Sequence, residues 1–128
     1  MGADLYFETL EGERVGYFRD SYNATSLFGV LNGTLKTKQW SWWMLTENRE
    51  LFPVQDDYTM EAEYALRFHD MLVEALVGLT TTEDDWIQSY DEHILMPGER
   101  QEYLARLVEL LILLRKTYQN NWRVEWSV

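Results

Sequence analysis

The sequence predicts a mostly α-helical protein with a minor two-stranded β element: a compact bundle of about four to five helices whose N- and C-terminal strands pair. Three observations predict it. Between residues 20 and 119 most apolar side chains recur at helical spacing, while the two ends alternate with a period of two. A chain of 128 residues that is 46% hydrophobic has enough apolar surface for one core. With two prolines, seven glycines and no repeat, linker or low-complexity tract, it reads as a single domain over residues 1–128.

The first strand rests on Ala3, Leu5 and Phe7 falling on one face, with Asp4, Tyr6 and Glu8 on the other. The last rests on Trp122, Val124, Trp126 and Val128 opposite Arg123, Glu125 and Ser127. After Asp20, residues Ala24, Leu27, Phe28 and Leu31 keep helical spacing up to a stop at Asn32-Gly33, followed by a loop over 35–39. Trp40, Trp43 and Met44 restart the helical pattern, which must end before Pro53. The clearest helix spans about 59–77, with Tyr64, Phe68, Met71, Leu72, Ala75, Leu76 and Leu79 in one stripe and Gly78 as its stop. Thr80 and Glu83 fit a capping box for a helix over about 82–95, whose inward face is Trp86, Ile87, Tyr90 and Ile94. Pro97-Gly98 breaks the chain. The last helix, about 99–119, carries the run LLILL and is apolar nearly all round at its middle, the pattern of a central buried helix.

Charge is the most informative part of the composition. Residues 47–92 carry thirteen acids and two arginines, a balance of −11 that equals the net charge of the whole chain. The flanking thirds are near neutral. Such a field repels nucleic acid and anionic membrane and attracts basic surfaces. The acids singled out as a partner face are Asp56, Asp57, Glu61, Glu63, Glu83, Asp84, Asp85, Asp91 and Glu92. Glu61 with Glu63, and Glu83 with its two aspartates, open two of the predicted helices and so present their acids side by side. The other reading of these acids is a solvated face that keeps the protein in solution.

Several chemistries lack their residues. The chain has no cysteine, so thiolate nucleophiles, thiolate metal sites and disulfides are excluded. No Walker loop, GxGxxG or GxSxG occurs. His69 and His93 find no second ligand at helical offsets, and the acids beside them, Asp70 and Glu92, point away on a helix. No catalytic residue, metal site or cofactor is therefore assigned. The start MGADLYFE lacks the basic and apolar regions of a signal peptide, and the longest apolar run is too short to span a bilayer. A cytoplasmic protein without membrane association is expected.

Two stretches remain. "QWSWWM" puts Trp40 and Trp43 on one helical stripe and turns Trp42 off it, leaving indole surface near water for a planar ligand or a sugar. "GYFRDSYN" (16–23) holds Arg19 and Asp20 between Tyr17, Phe18 and Tyr22. Asp20 suits a helix cap, and Arg19 then pairs with it or with acids of a neighbouring element.

The pieces MGADLY (1–6), GYFRDSYN (16–23) and SWW (41–43), in that order, resemble a group of small uncharacterised prokaryotic and phage-type proteins. Its members open with M-G-A-D-L-Y, carry Y-F-R-D-S-Y-N and then S-W-W, and close with a short strand after a long helix. The resemblance covers the first 43 residues and is architectural beyond them. The chain departs in its short 9–15 connection, where the group carries a longer helical insert, and in its lysine-bearing 33–39 segment. The group has no established activity, so the resemblance implies a shared fold and a shared site and names no function.

Three functions are compatible with these features. The first is a non-catalytic acidic interaction module, of the kind by which a phage-type inhibitor occupies a basic or nucleic-acid-binding surface of a partner protein. The second is a small-ligand binder using Tyr17, Arg19, Asp20, Asn23 and the Trp cluster around Trp42. The third is an enzyme of unassigned type using Asp20, Arg19 and a histidine. They are ranked in that order, and a pocket lined by Arg19 and Trp42 would lift the second above the first.

Overall fold

The computed structural model describes residues 2–23, 25–35, 40–47, 59–81, 87–88, 94–95 and 97–128. Among them the architecture is α+β, which corrects the expectation of a helical bundle with a two-stranded accessory. Strands β1 (Gly2–Glu8), β2 (Arg14–Ser21), β3 (Thr59–Glu61) and β6 (Arg123–Ser127) form one antiparallel sheet in the order β2-β1-β6-β3. Helices α1 (Leu27–Leu35), α3 (Ala62–Thr81) and α4 (Pro97–Gln119) and the single turn α2 (Met44–Glu47) supply the rest of the core. A separate two-stranded ladder joins β4 (Ile87–Gln88) to β5 (Ile94–Leu95), and β4 lies beside α1.

The terminal strands do pair, Leu5 opposite Trp126 and Phe7 opposite Val124, but they form the centre of a larger sheet. Ala3, Leu5, Phe7, Phe18, Met60, Val124 and Trp126 fill its inner face. The hairpin partner β2 escapes a periodicity search because a carboxylate takes an inward slot: Phe18 and Asp20 point in, Tyr17 and Arg19 out. Gly16 occupies a third inward position, where a Cβ would stand 2.8 Å from Leu113 Cδ2, so α4 packs close beneath β2. Strand β3 is too short at three residues to show a period, and it takes the start of the predicted 59–77 helix.

The helices differ from expectation in ways local physics explains. Helix α1 runs through Asn32-Gly33 to Leu35, with Gly33 itself buried. Helix α3 runs through Gly78 to Thr81, where the Gly78 hydrogen faces the Leu35 side chain. Thr80 does not begin a capping box: its hydroxyl donates back to the carbonyls of Leu76 and Val77 at the end of α3. The helix predicted over 82–95 is replaced by β strands at 87–88 and 94–95, and its remaining residues lie outside the described set. Ile87 and Ile94 suit a strand at least as well as a helical stripe. Pro97 is the first residue of α4, where its missing N–H costs nothing. Helix α4 is not central: Leu107, Leu110 and Leu114 are buried, but Ile112 is 50% exposed and Val108 39%. Of the helical stretch expected from Trp40 toward Pro53, residues 44–47 form α2, and 48–58 lie outside the described residues.

Candidate functional site

The turn between β2 and α1 is built around Asp20. The residue is 4% exposed, and its carboxylate accepts the N–H of Leu27 at 2.9 Å and of Phe28 at 3.2 Å, two of the amides that open α1. The indole Nε1–H of Trp42 donates to the same carboxylate at 2.7 Å. Ser26 is the local cap, its hydroxyl accepting from Gly29 N at 3.0 Å. Asp20 is thus a helix cap reaching in from a neighbouring strand, and it ties β2, α1 and the Trp segment together.

Arg19 does not pair with Asp20. It points to the opposite face of the sheet and donates through one nitrogen to both oxygens of Asp4, at 2.8 and 2.9 Å. The Tyr17 hydroxyl donates to Asp4 at 2.5 Å, and Tyr17 stacks on Tyr6 with centroids 5.2 Å apart. The Tyr17 hydrogen bond, with Arg19 adding to it, holds the Asp4 carboxyl below its usual value; the same bond to Asp4 raises the Tyr17 phenol.

Helix α4 reaches this turn from the side. Arg106 donates to the carbonyl of Arg19, stands 3.5 Å from Asp20, and lies over the Phe18 ring at 4.9 Å. The Tyr103 hydroxyl donates to the carbonyl of Thr25, and burial pushes its pKa up. Between α4 and the turn lies a hollow of about 470 Å³ lined by Arg19, Asp20, Ser21, Glu102, Tyr103 and Arg106, among others.

On the other side of the turn is a second hollow, of about 270 Å³, with an aromatic wall of Tyr22, Phe28, Trp40, Trp42 and Trp43. Trp42 lies flat on Phe28, centroids 3.9 Å apart and planes within 5°. Trp40 and Trp42 are both buried, whereas Trp43 is 50% exposed and stacks on Tyr22 at 5.1 Å. The indole left near water is therefore Trp43, not Trp42. Residues 40–43 precede the helical turn, so helical stepping does not set their directions.

Of the five predicted ligand residues, Arg19 and Asp20 line the polar hollow and Trp42 the aromatic one. Tyr17 and Asn23 line neither. Tyr17 serves Asp4, and Asn23 accepts from the amide and hydroxyl of Thr25. Asp4, Tyr103 and Arg106 were not singled out from the sequence, whereas Trp43 was, as a member of the Trp cluster. Tyr103 and Arg106 sit three apart on α4 and so share a helix face, a signal that spacing carries. Asp4 meets Arg19 only through the register of β1 on β2.

Among the nine acids of the expected partner face, Glu61 and Glu63 are exposed, Glu61 ending β3 and Glu63 in the first turn of α3. Asp56, Asp57, Glu83, Asp84, Asp85, Asp91 and Glu92 lie outside the described residues. His69 is buried on α3 with Nδ1 3.0 Å from Asp70, a neighbour expected to point away; His93 lies outside the described residues. Among the described residues no three His, Asp or Glu side chains gather as metal ligands, and no helix is long and apolar enough to cross a membrane. No protein-family model, curated protein or solved structure matches the chain.

Proposed function

We propose that the protein binds a small molecule in the paired hollows around the turn at residues 21–26. One observation carries this reading: the hollow lined by Arg19 and the hollow lined by Trp42 share Ser21 and Ser26, so a guanidinium-rimmed pocket and an aromatic wall are neighbours. Small-molecule sites combine an apolar wall with a few fixed polar groups in this way. The polar groups are held in place before any ligand arrives, Arg106 by the Arg19 carbonyl and by Asp20, which lowers the ordering cost of binding. The test is a fragment screen by ligand-observed NMR on the native protein and on Trp43→Ala. Hits that lose their signal in the variant are expected; an empty screen, or hits indifferent to Trp43, would count against the reading.

A second reading, a basic protein partner for the acidic middle third, is supported by the charge distribution: the whole net charge of −11 falls within residues 47–92. Its test is capture of a basic partner, with affinity followed from low to high salt for the native protein and a Glu83→Ala, Asp84→Ala, Asp85→Ala variant. Binding should weaken with both; affinity indifferent to both leaves the acids as a solubilising face.

A further inference from the structure

We infer that the ligand is an aromatic oxyanion: a planar ring carrying a carboxylate or phosphate, with the anion on Arg106 and the ring against Trp43. The inference rests on the small-ligand reading above and names the chemistry of that site.

The anion follows from which groups at the polar hollow are already occupied. The Asp20 carboxylate takes three N–H donors and faces Arg106, so it has little capacity left for a ligand. Arg106 is only partly used. It meets the Arg19 carbonyl and Asp20 through one terminal nitrogen, while the Arg19 guanidinium is engaged by Asp4 on the opposite face of the sheet. A guanidinium has five N–H donors in a planar fork, so Arg106 retains donors suited to two coplanar oxygens. Its side chain is 41% exposed, open to a ligand from solution. Glu102, on the same rim, disfavours a bare second anion and accepts from a hydroxyl or amine beside the first.

The ring follows from the neighbouring hollow. Trp43 is half exposed and already stacked on Tyr22, so its free surface is a rigid, flat platform next to Ser21 and Ser26.

The experiment compares two matched pairs of probes by calorimetry: indole-3-acetate with indole-3-acetamide, and adenosine 5′-monophosphate with adenosine. The pairs separate a carboxylate source from a phosphate source. In at least one pair the anion is expected to bind at least tenfold tighter than its neutral partner. Arg106→Lys, which keeps the charge and loses the fork, should remove most of that preference, and Trp43→Ala should weaken both members. Circular dichroism checks that both variants fold, and the native comparison stands without them. Equal affinity within both pairs overturns the inference, as does a preference that survives unchanged in folded Arg106→Lys. If the neutral probes still bind in a Trp43-dependent way, or the fragment screen yields Trp43-dependent hits while no probe binds, the small-ligand reading survives the failure. If no probe binds and the screen is empty, both fall.

Discussion

At Asp20 one carboxylate accepts N–H bonds from two backbone amides and an indole while 4% exposed, so its replacement has consequences in three elements. Asp20→Asn keeps the shape but turns an amide NH₂ toward donors. A loss of roughly 3 kcal/mol is expected in denaturant unfolding, since hydrogen bonds to a buried charge are the strong ones and Arg106 loses its counter-charge. A change of a few tenths would mean that the cap is dispensable. Asp4 makes the contrast, because its ion pair with Arg19 is half in solvent and worth less. Its folded pKa is depressed, mainly by the Tyr17 hydroxyl, so its contribution is present above the unfolded carboxylate value near 4 and is lost as pH falls through the folded one. Tyr17→Phe should therefore move the Asp4 carboxyl back up toward its ordinary value in an NMR titration. An unchanged midpoint would assign the shift to Arg19 instead.

Among the strands, β6 carries one edge of the sheet. It joins β1 to β3, and in the sheet order β3 has no other neighbour. Deleting residues 124–128 removes buried Val124 and Trp126, each worth about 1.5–3 kcal/mol, together with both ladders. The loss rivals the ~5–15 kcal/mol stability of a typical domain, so the truncated chain should lack the near-ultraviolet dichroism of the native fold. A melt identical to that of the full chain would show that the sheet does not depend on β6. Strand β2, at the other edge, is guarded against stray pairing. A register shift between Phe7 and Glu8 bends the hairpin, Arg14 and Arg19 place charges along it, and Arg106 occupies the Arg19 carbonyl. The two terminal strands were legible in the sequence because their apolar residues alternate without interruption. Strand β2 was not, because its inward positions are a glycine, a phenylalanine and an aspartate.

For the molecule as a whole, that difference decides the fold class. Counting β2 and β3 turns a bundle with a ribbon into a sheet with helices against it. The candidate site was half legible for a related reason. Arg19, Asp20 and Trp42 stand out as charges and rings in unusual company, whereas Arg106 and Tyr103 become partners of the turn only once α4 is packed beneath β2. The central position of β6 also bears on how the chain reaches this state. The β1–β2 hairpin closes over a few residues, but β1 against β6 joins nearly opposite ends of the chain, Asp4 facing Ser127. Contacts that span so much sequence form late, after closure entropy has been offset by local structure. Val124→Ala should then speed unfolding and leave the refolding rate nearly unchanged, while Phe18→Ala in the hairpin should slow refolding. A chevron in which Val124→Ala slows refolding in proportion to its full destabilisation would instead place the joining of the two ends at the rate-limiting step.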